Sequence, residues 1–284
     1  MRRIQADQIT KVVAKLCIQA NTVLRPDVLN ALKSAFSREK NKRAKHALQM
    51  IIENASIAKK QGLAICQDTG LPVVFVEVGK GVLVAGSGIE QAIQNGVVLG
   101  YKKASLRNSI IQDPLRLKSQ KPQFGPAITH YEYSNSNKLK ITVLPKGFGC
   151  ENKSKLKMFL PTADFVEIKK FILDAVKEAG PDACPPYVIG IGIGGSADYT
   201  CLLAKKALLE EVTKSQSHKV TSSVLRLEQE LLQDINRLGI GPMGLGGKTT
   251  ALAVRILTHP THIAGLPVAV NISCHALRSA TAIL

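Results

Sequence analysis

An α/β (α+β) architecture, with mixed sheets flanked by helices and a helical N-terminal segment, is what this 284-residue sequence predicts. Three observations carry the prediction. Apolar residues recur at helical spacing from Ala6 to Gly62, four short segments of strand character follow, and long helical patterns separate the last two strands without a strict strand–helix alternation.

Taken in order, ADQITKVVAKLCIQANTVL places its apolar residues on one helical face. DVLNALKSAF follows Pro26 and opens with Asp27 as an N-cap. AKHALQMIIENASIAKKQG stops at Gly62, the residue type that closes helices. Strands are expected at LPVVFVEVG, KLKITVLP, PYVIGIGIG and GLPVAVNIS. Between the last two, SADYTCLLAKKALLEEV and SSVLRLEQELLQDINRLG read as helices, the second ending at Gly239, and TKSQSHKVTS between them reads as an exposed loop. No internal repeat is evident. The length permits one large domain or two small ones. The organisation expected is a single domain, with residues 1–62 as the helical segment and residues 63–284 as the core that carries the site.

Hydrophobic residues at 45% and charged residues at 21% describe a globular chain able to bury a core. Apolar runs such as GVLVAG and VVFVEV are far shorter than the roughly 20 residues of a membrane span. MRRIQADQIT lacks a signal-peptide core, so the expected location is cytoplasmic. The formal charge of +17 raises nucleic acid, anionic membrane faces and anionic small substrates as partners. Basic residues are spread along the chain, with short clusters such as SREKNKRAKH and YKKASLR. Aromatic residues make up only 4%, so platforms for stacking bases are scarce. Neither a nucleic-acid nor a membrane partner is expected.

Two glycine-rich stretches invite nucleotide readings and fail them. GPMGLGGKTT ends like a phosphate-binding loop, but that motif needs glycine where Pro242 stands and should emerge from a strand, not a helix end. IGIGGSAD has Ala197 in the third glycine place of a dinucleotide turn, which makes the match loose. Small residues that let backbones pack closely account for both.

The six cysteines contain no C-x-x-C pair, so ligand runs of the zinc-ribbon and ferredoxin kinds are excluded. Cys17 and Cys201 fall in apolar helical patterns and are expected as packed core thiols. Cys66, Cys150, Cys184 and Cys274 instead stand at strand ends, where rigid turns hold side chains in convergent positions. From the residues alone, a metal cluster and separate idle thiols both remain open. Polar groups suited to chemistry lie nearby in sequence: Gln67, Asp68, Arg107, His259 and His262.

CQDTGLPVVFVEVG, PKGFGCENKSKLKMFLP, ACPPYVIGIGIGGSAD, GIGPMGLGGKTTALAVRI and HIAGLPVAVNISCHALR together resemble the alpha subunit of the two-subunit, iron–sulfur class I fumarate hydratases, relatives of L-tartrate dehydratase. The likeness runs from about residue 10 to the end of the chain and keeps the family's motif order. It implies a 4Fe-4S cluster on Cys66, Cys184 and Cys274 whose fourth iron, without a protein ligand, acts as a Lewis acid in the reversible dehydration of (S)-malate to fumarate. It implies that Gln67, Asp68, Arg107, Gly149 and His262 face the substrate, with Asp68 handling a proton. It further implies a separate beta subunit, an α2β2 assembly, and inactivity of this chain alone, which ends at TAIL directly after the last motif. The family usually has serine where Cys150 stands, so a fourth thiol is expected beside the site.

Overall fold

A computed structural model describes residues 2–213 and 222–284. The loop expected at TKSQSHKVTS falls almost wholly outside the described residues. In chain order the elements are β1 (Arg2–Gln5), α1 (Ala6–Thr22), α2 (Pro26–Arg38), α3 (Lys42–Gln61), β2 (Leu71–Gly79), β3 (Val82–Ala85), α4 (Ile89–Lys103), β4 (Ile128–Ser134) and β5 (Leu139–Lys146). There follow α5 (Phe148–Glu151), β6 (Lys155–Phe159), α6 (Phe165–Ala179), β7 (Tyr187–Ile193), α7 (Ala197–Ala207), α8 (Ser222–Arg237), β8 (Ala251–Thr258), β9 (Leu266–Ser273) and β10 (Ala280–Ile283). The α/β class is therefore as the sequence predicts, and all four expected strands are present. Gly62 and Gly239 follow helix ends with φ of +67° and +65°, the left-handed conformation that closes a helix. Asp27 differs from expectation. Pro26 begins α2, its missing N–H being harmless at a first helical position, and the Asp27 carboxylate instead accepts the Val212 N–H at 2.8 Å.

The chain forms two compact units. The first comprises Met1–Arg25, Ala55–Phe148 and Arg278–Leu284; the second comprises Pro26–Asn54 and Gly149–Leu277. In the first unit a four-stranded sheet runs in the order β10-β5-β2-β4, and β1 pairs in parallel with β3. Ile9, Val13, Leu16, Cys17 and Ala20 of α1 recur at helical spacing and are buried in one core with Val74, Val76, Ile93, Val97, Ile141 and Val143. Helices α1 and α4 pack backbone to backbone, because a Cβ at Gly96 would stand 2.7 Å from the Thr10 carbonyl oxygen and one at Gly100 2.6 Å from that of Ala14.

The second unit has a four-stranded sheet in the order β6-β9-β7-β8. Alternation along β7 sorts its two faces. Tyr187, Ile189 and Ile191 enter the core that holds Ile168, Ile172 and Val176 of α6 and Leu227, Leu231 and Ile235 of α8. Gly190 and Gly192 lie on the other face, where added Cβ atoms would run into the carbonyl oxygens of Ala204 and Thr200 on α7. The glycines of IGIGG thus seat a helix on the sheet.

The two sheets follow one chain path. A central strand (β2 or β7) leads through helix to a parallel neighbour (β4 or β8), and the chain then returns antiparallel on the other side (β5 or β9). An antiparallel edge strand (β10 or β6) completes each sheet. This repeat of path has no counterpart in the sequence pattern.

Candidate active site

In both units antiparallel register sets the start of the central strand beside the end of its partner. Leu71 faces Lys146 in the first unit and Val188 faces Ser273 in the second. The chain just before the central strand therefore meets the chain just after the returning strand, and the candidate residues lie at these two mouths.

At the mouth of β2, CQDTG is held by four separate parts of the first unit. Asp68 accepts the Gly70 N–H on Oδ1 at 3.0 Å and the Phe148 N–H on Oδ2 at 2.8 Å, so both carboxylate oxygens are fixed by backbone donors. The main-chain oxygen of Asp68 accepts Nη2 of Arg278. Thr69 is buried and exchanges hydrogen bonds with the backbone of Arg107, its Oγ1 lying 3.1 Å from the nitrogen and 3.2 Å from the oxygen. The buried Tyr101 hydroxyl donates to the carbonyls of Thr69 at 2.9 Å and Gly70 at 3.2 Å. Gly70, with φ of +77°, lies so close to the end of β5 that a Cβ would be 2.8 Å from the Lys146 nitrogen. The half-buried Cys66 donates its thiol to Oε1 of Gln67 at 3.3 Å. Cys66, Gln67, Asp68 and Arg107 are thus gathered at one mouth, with the Gln67 and Arg107 side chains at the surface.

At the mouth of β7 the corresponding pair is Cys184 and Cys274. His275 follows Cys274 and binds the Cys184 carbonyl twice, through its N–H at 3.3 Å and its ring Nδ1 at 3.0 Å. Cys184 takes a φ of +58°, unusual for a residue with a side chain, and its N–H is held by the Pro181 carbonyl at 3.1 Å. GPMGLGGKTT braces this loop. The Met243 N–H donates to the Pro185 carbonyl at 2.8 Å, and Gly244 leaves only 2.5 Å between a would-be Cβ and Pro181.

The lysine end of that stretch wraps a carboxylate of the protein itself. Glu39, buried, accepts the Lys248 N–H at 2.7 Å and the N–H groups of Lys40 and Asn41 at 2.9 Å each. The backbone donor that a phosphate-binding loop would offer is already engaged.

The remaining candidates are distributed as follows. Cys150 is buried and donates its thiol to the Ala183 carbonyl at 3.3 Å, next to Cys184 in the chain. Gly149 is exposed with open space around it. His262 lies in the exposed connection between β8 and β9, where its Nδ1 accepts the Ala264 N–H at 3.2 Å. Since β8 runs parallel to β7, this connection sits at the far end of β7 from Cys184 and Cys274, roughly 20 Å away at about 3.3 Å per residue. The second unit does not bring His262 to its two cysteines.

All six cysteines are free thiols. Cys17 is fully buried, and burial pushes its thiol up to about 12, as the expected core residue should be. Cys201 corrects the expectation. It is exposed, because Thr200, Leu203, Ala204 and Ala207 form the buried stripe of α7 and residue 201 falls off it. Cys66, Cys184 and Cys274, half-buried in rigid non-helical turns, suit thiolate ligation of a cluster in the chemistry of their donors. Among the described residues, no three His, Cys, Asp or Glu side chains form a group for a single metal ion. A cluster differs in this respect, since it spreads its thiolates over separate irons.

Sequence reasoning missed Arg278 and Glu39. Arg278 is 4% exposed, and its Nε and Nη1 find no hydrogen-bond partner among the described residues. An arginine in the otherwise apolar stretch after Cys274 was the available signal.

The chain is similar to known proteins over nearly its whole length. Residues 10–283 match the family model described as Fumarate hydratase (Fumerase). A Methanocaldococcus jannaschii protein provisionally named L(+)-tartrate dehydratase subunit alpha is 41% identical over 278 residues, covering 96% of each chain. L(+)-tartrate dehydratase alpha subunits of Escherichia coli K12 and Shigella sonnei are each 28% identical over 281 residues, covering 97% of this chain and 90% of theirs. No helix among the described residues is long and apolar enough to cross a membrane. With matching motifs spread over nearly its whole length, the chain belongs to the fumarate hydratase family of hydro-lyases.

Proposed function

We propose that this chain is the alpha subunit of an iron–sulfur hydro-lyase that reversibly dehydrates (S)-malate to fumarate. The observation that carries the reading is the mouth of β2, where a carboxylate pinned by two backbone N–H groups stands in one short loop with a thiol, an amide and a nearby guanidinium.

Cys66, Cys184 and Cys274 would hold the cluster, which when bound supplies a Lewis acid for the departing hydroxyl. The rest falls to side chains. Asp68 handles a proton, and its fixed oxygens remove the cost of orienting it during the reaction. Arg278 acts through Asp68 by holding the loop's main chain, so it is a positioning residue. The exposed guanidinium of Arg107 is suited to a substrate carboxylate, and the Gln67 amide can donate to the same anion. Gly149 leaves room for an approaching molecule. His262 enters the reading on the family resemblance alone. Cys150, whose thiol donates to the Ala183 carbonyl, would not serve as a cluster ligand in this reading. A beta subunit, in an α2β2 assembly, supplies the remaining substrate contacts.

The names of the relatives favour a second reading in which the substrate is L-tartrate. Co-expression with a beta subunit and assay under argon distinguishes the two. Faster turnover of malate supports the first, faster turnover of tartrate supports the second, and turnover of neither rejects both.

A further inference from the structure

Two motifs are left over by the reaction: the basic run SREKNKRAKH and the lysine turn GGKTT. In the second unit they line one cavity of about 1170 Å³, together with the C-terminal end of α8. Arg38, Lys40, Arg237 and Lys248 all line it, and among the described residues no Asp or Glu does. Arg237 is paired with Asp234 at 2.5 Å. Arg38 spends its Nε on the Ser34 carbonyl at 3.2 Å, and among the described residues neither Lys40 nor Lys248 has a carboxylate within ion-pair reach. Glu39, next to Lys40 in the chain, is buried and committed to three backbone N–H groups, so it cannot swing out to neutralise the lysines. Cations gathered around one concavity repel each other and draw anions to it.

We propose that this cavity is a binding site for a small polyphosphate-bearing molecule of nucleotide size, separate from the dehydration site. Size separates it from the hydro-lyase substrate, because a four-carbon diacid would fill a small part of a space somewhat larger than the usual small-ligand pocket of about 300–1,000 Å³. Chemistry favours phosphate, since ammonium and guanidinium groups from two segments can engage several oxygens at once. Leu232 and Leu252 add apolar lining against which a flat ring can lie. Recognition rests on side chains and not on a wrapped backbone loop, because Glu39 holds the Lys248 N–H. Discrimination between bases should therefore be weak.

The test is calorimetric titration of the full chain with ATP, inorganic tripolyphosphate and a single-stranded oligonucleotide, each at 50 and 200 mM salt. Binding of ATP and tripolyphosphate that weakens at least tenfold in the Lys40→Ala/Lys248→Ala double variant supports the site. Both side chains are exposed and their backbone bonds to Glu39 are untouched, so the variant should keep the wild-type circular dichroism. Should it not, Arg38→Gln serves instead, with the same direction of effect. No binding of either phosphate probe, or binding indifferent to these changes, overturns the proposal. Tighter binding of the oligonucleotide than of ATP, with a steeper salt dependence, overturns it in favour of a nucleic-acid surface.

Discussion

The two units send their chains along the same path and then equip the mouth of the central strand in opposite ways. Before β2 the first unit presents an acid, with both Asp68 oxygens held by backbone N–H groups and its carbonyl held by a buried arginine. Before β7 the second unit presents Cys184 in a strained turn, its carbonyl held by the residue after Cys274. The shared path explains why each mouth is rigid, since antiparallel register brings the same two stretches of chain together in both. The side chains explain why the mouths differ in chemistry. The first carries an acid beside one thiol, the second a pair of thiols.

That division can be broken at its chemical end first. Asp68→Asn removes the base and keeps an acceptor for only one of the two backbone N–H groups that the carboxylate holds, so kcat of the assembled enzyme should fall by at least about 10²–10⁴-fold, the range of a lost general acid–base. Stability should fall as well, by about 1–3 kcal/mol for the one backbone N–H left without an acceptor. An unchanged kcat would deny the first mouth its assigned role.

The shared architecture can be broken next. Gly192→Ala forces a Cβ into the backbone of α7, and Gly70→Ala puts one 2.8 Å from the end of β5 at a positive φ. Each should cost about 2–3 kcal/mol by overpacking a site that cannot relax. Urea denaturation measures both, and a loss below about 0.5 kcal/mol, the scale of ordinary surface changes, would show that the close approach is not required.

A smaller effect sharpens the contrast in buried charge. The first unit buries the cation Arg278, whereas the second buries Glu228, whose carboxylate accepts the Ile256 N–H at 2.8 Å and Arg255 Nη1 at 3.1 Å. Burial raises the Glu228 carboxyl above its ordinary range, outweighing the lowering by Ile256 and Arg255. A raised carboxyl favours the folded state while protonated, so its contribution is full below the unfolded pKa and is lost as pH rises through the folded one. The stability of the wild type relative to Glu228→Gln should therefore decline from about pH 4 upward, starting near the ordinary carboxylate value. A rise over that range would reverse the assigned sign.

Much of this was legible in the sequence because local pattern decided it. LPVVFVEVG and GLPVAVNIS are strands at the expected places, and Gly62 and Gly239 end helices as glycines do. Cys201 was misjudged because apolar neighbours on a short helix do not say which residue faces the sheet. The repeated chain path was invisible, since β2 and β7 each pair with one parallel and one antiparallel strand but share no residue pattern. Arg278 and Glu39 were missed for a related reason. Each acts on backbone far away in sequence, Arg278 on Asp68 and Glu39 on Lys248, and nothing local announces such a partner.

The most direct test of the account reconstitutes the chain anaerobically with iron and sulfide and compares the visible absorbance of five serine variants. Cys66→Ser, Cys184→Ser and Cys274→Ser should each lose the cluster's brown absorbance, while Cys17→Ser and Cys201→Ser keep it. Retention in the first three with loss in the last two would contradict the account at its centre.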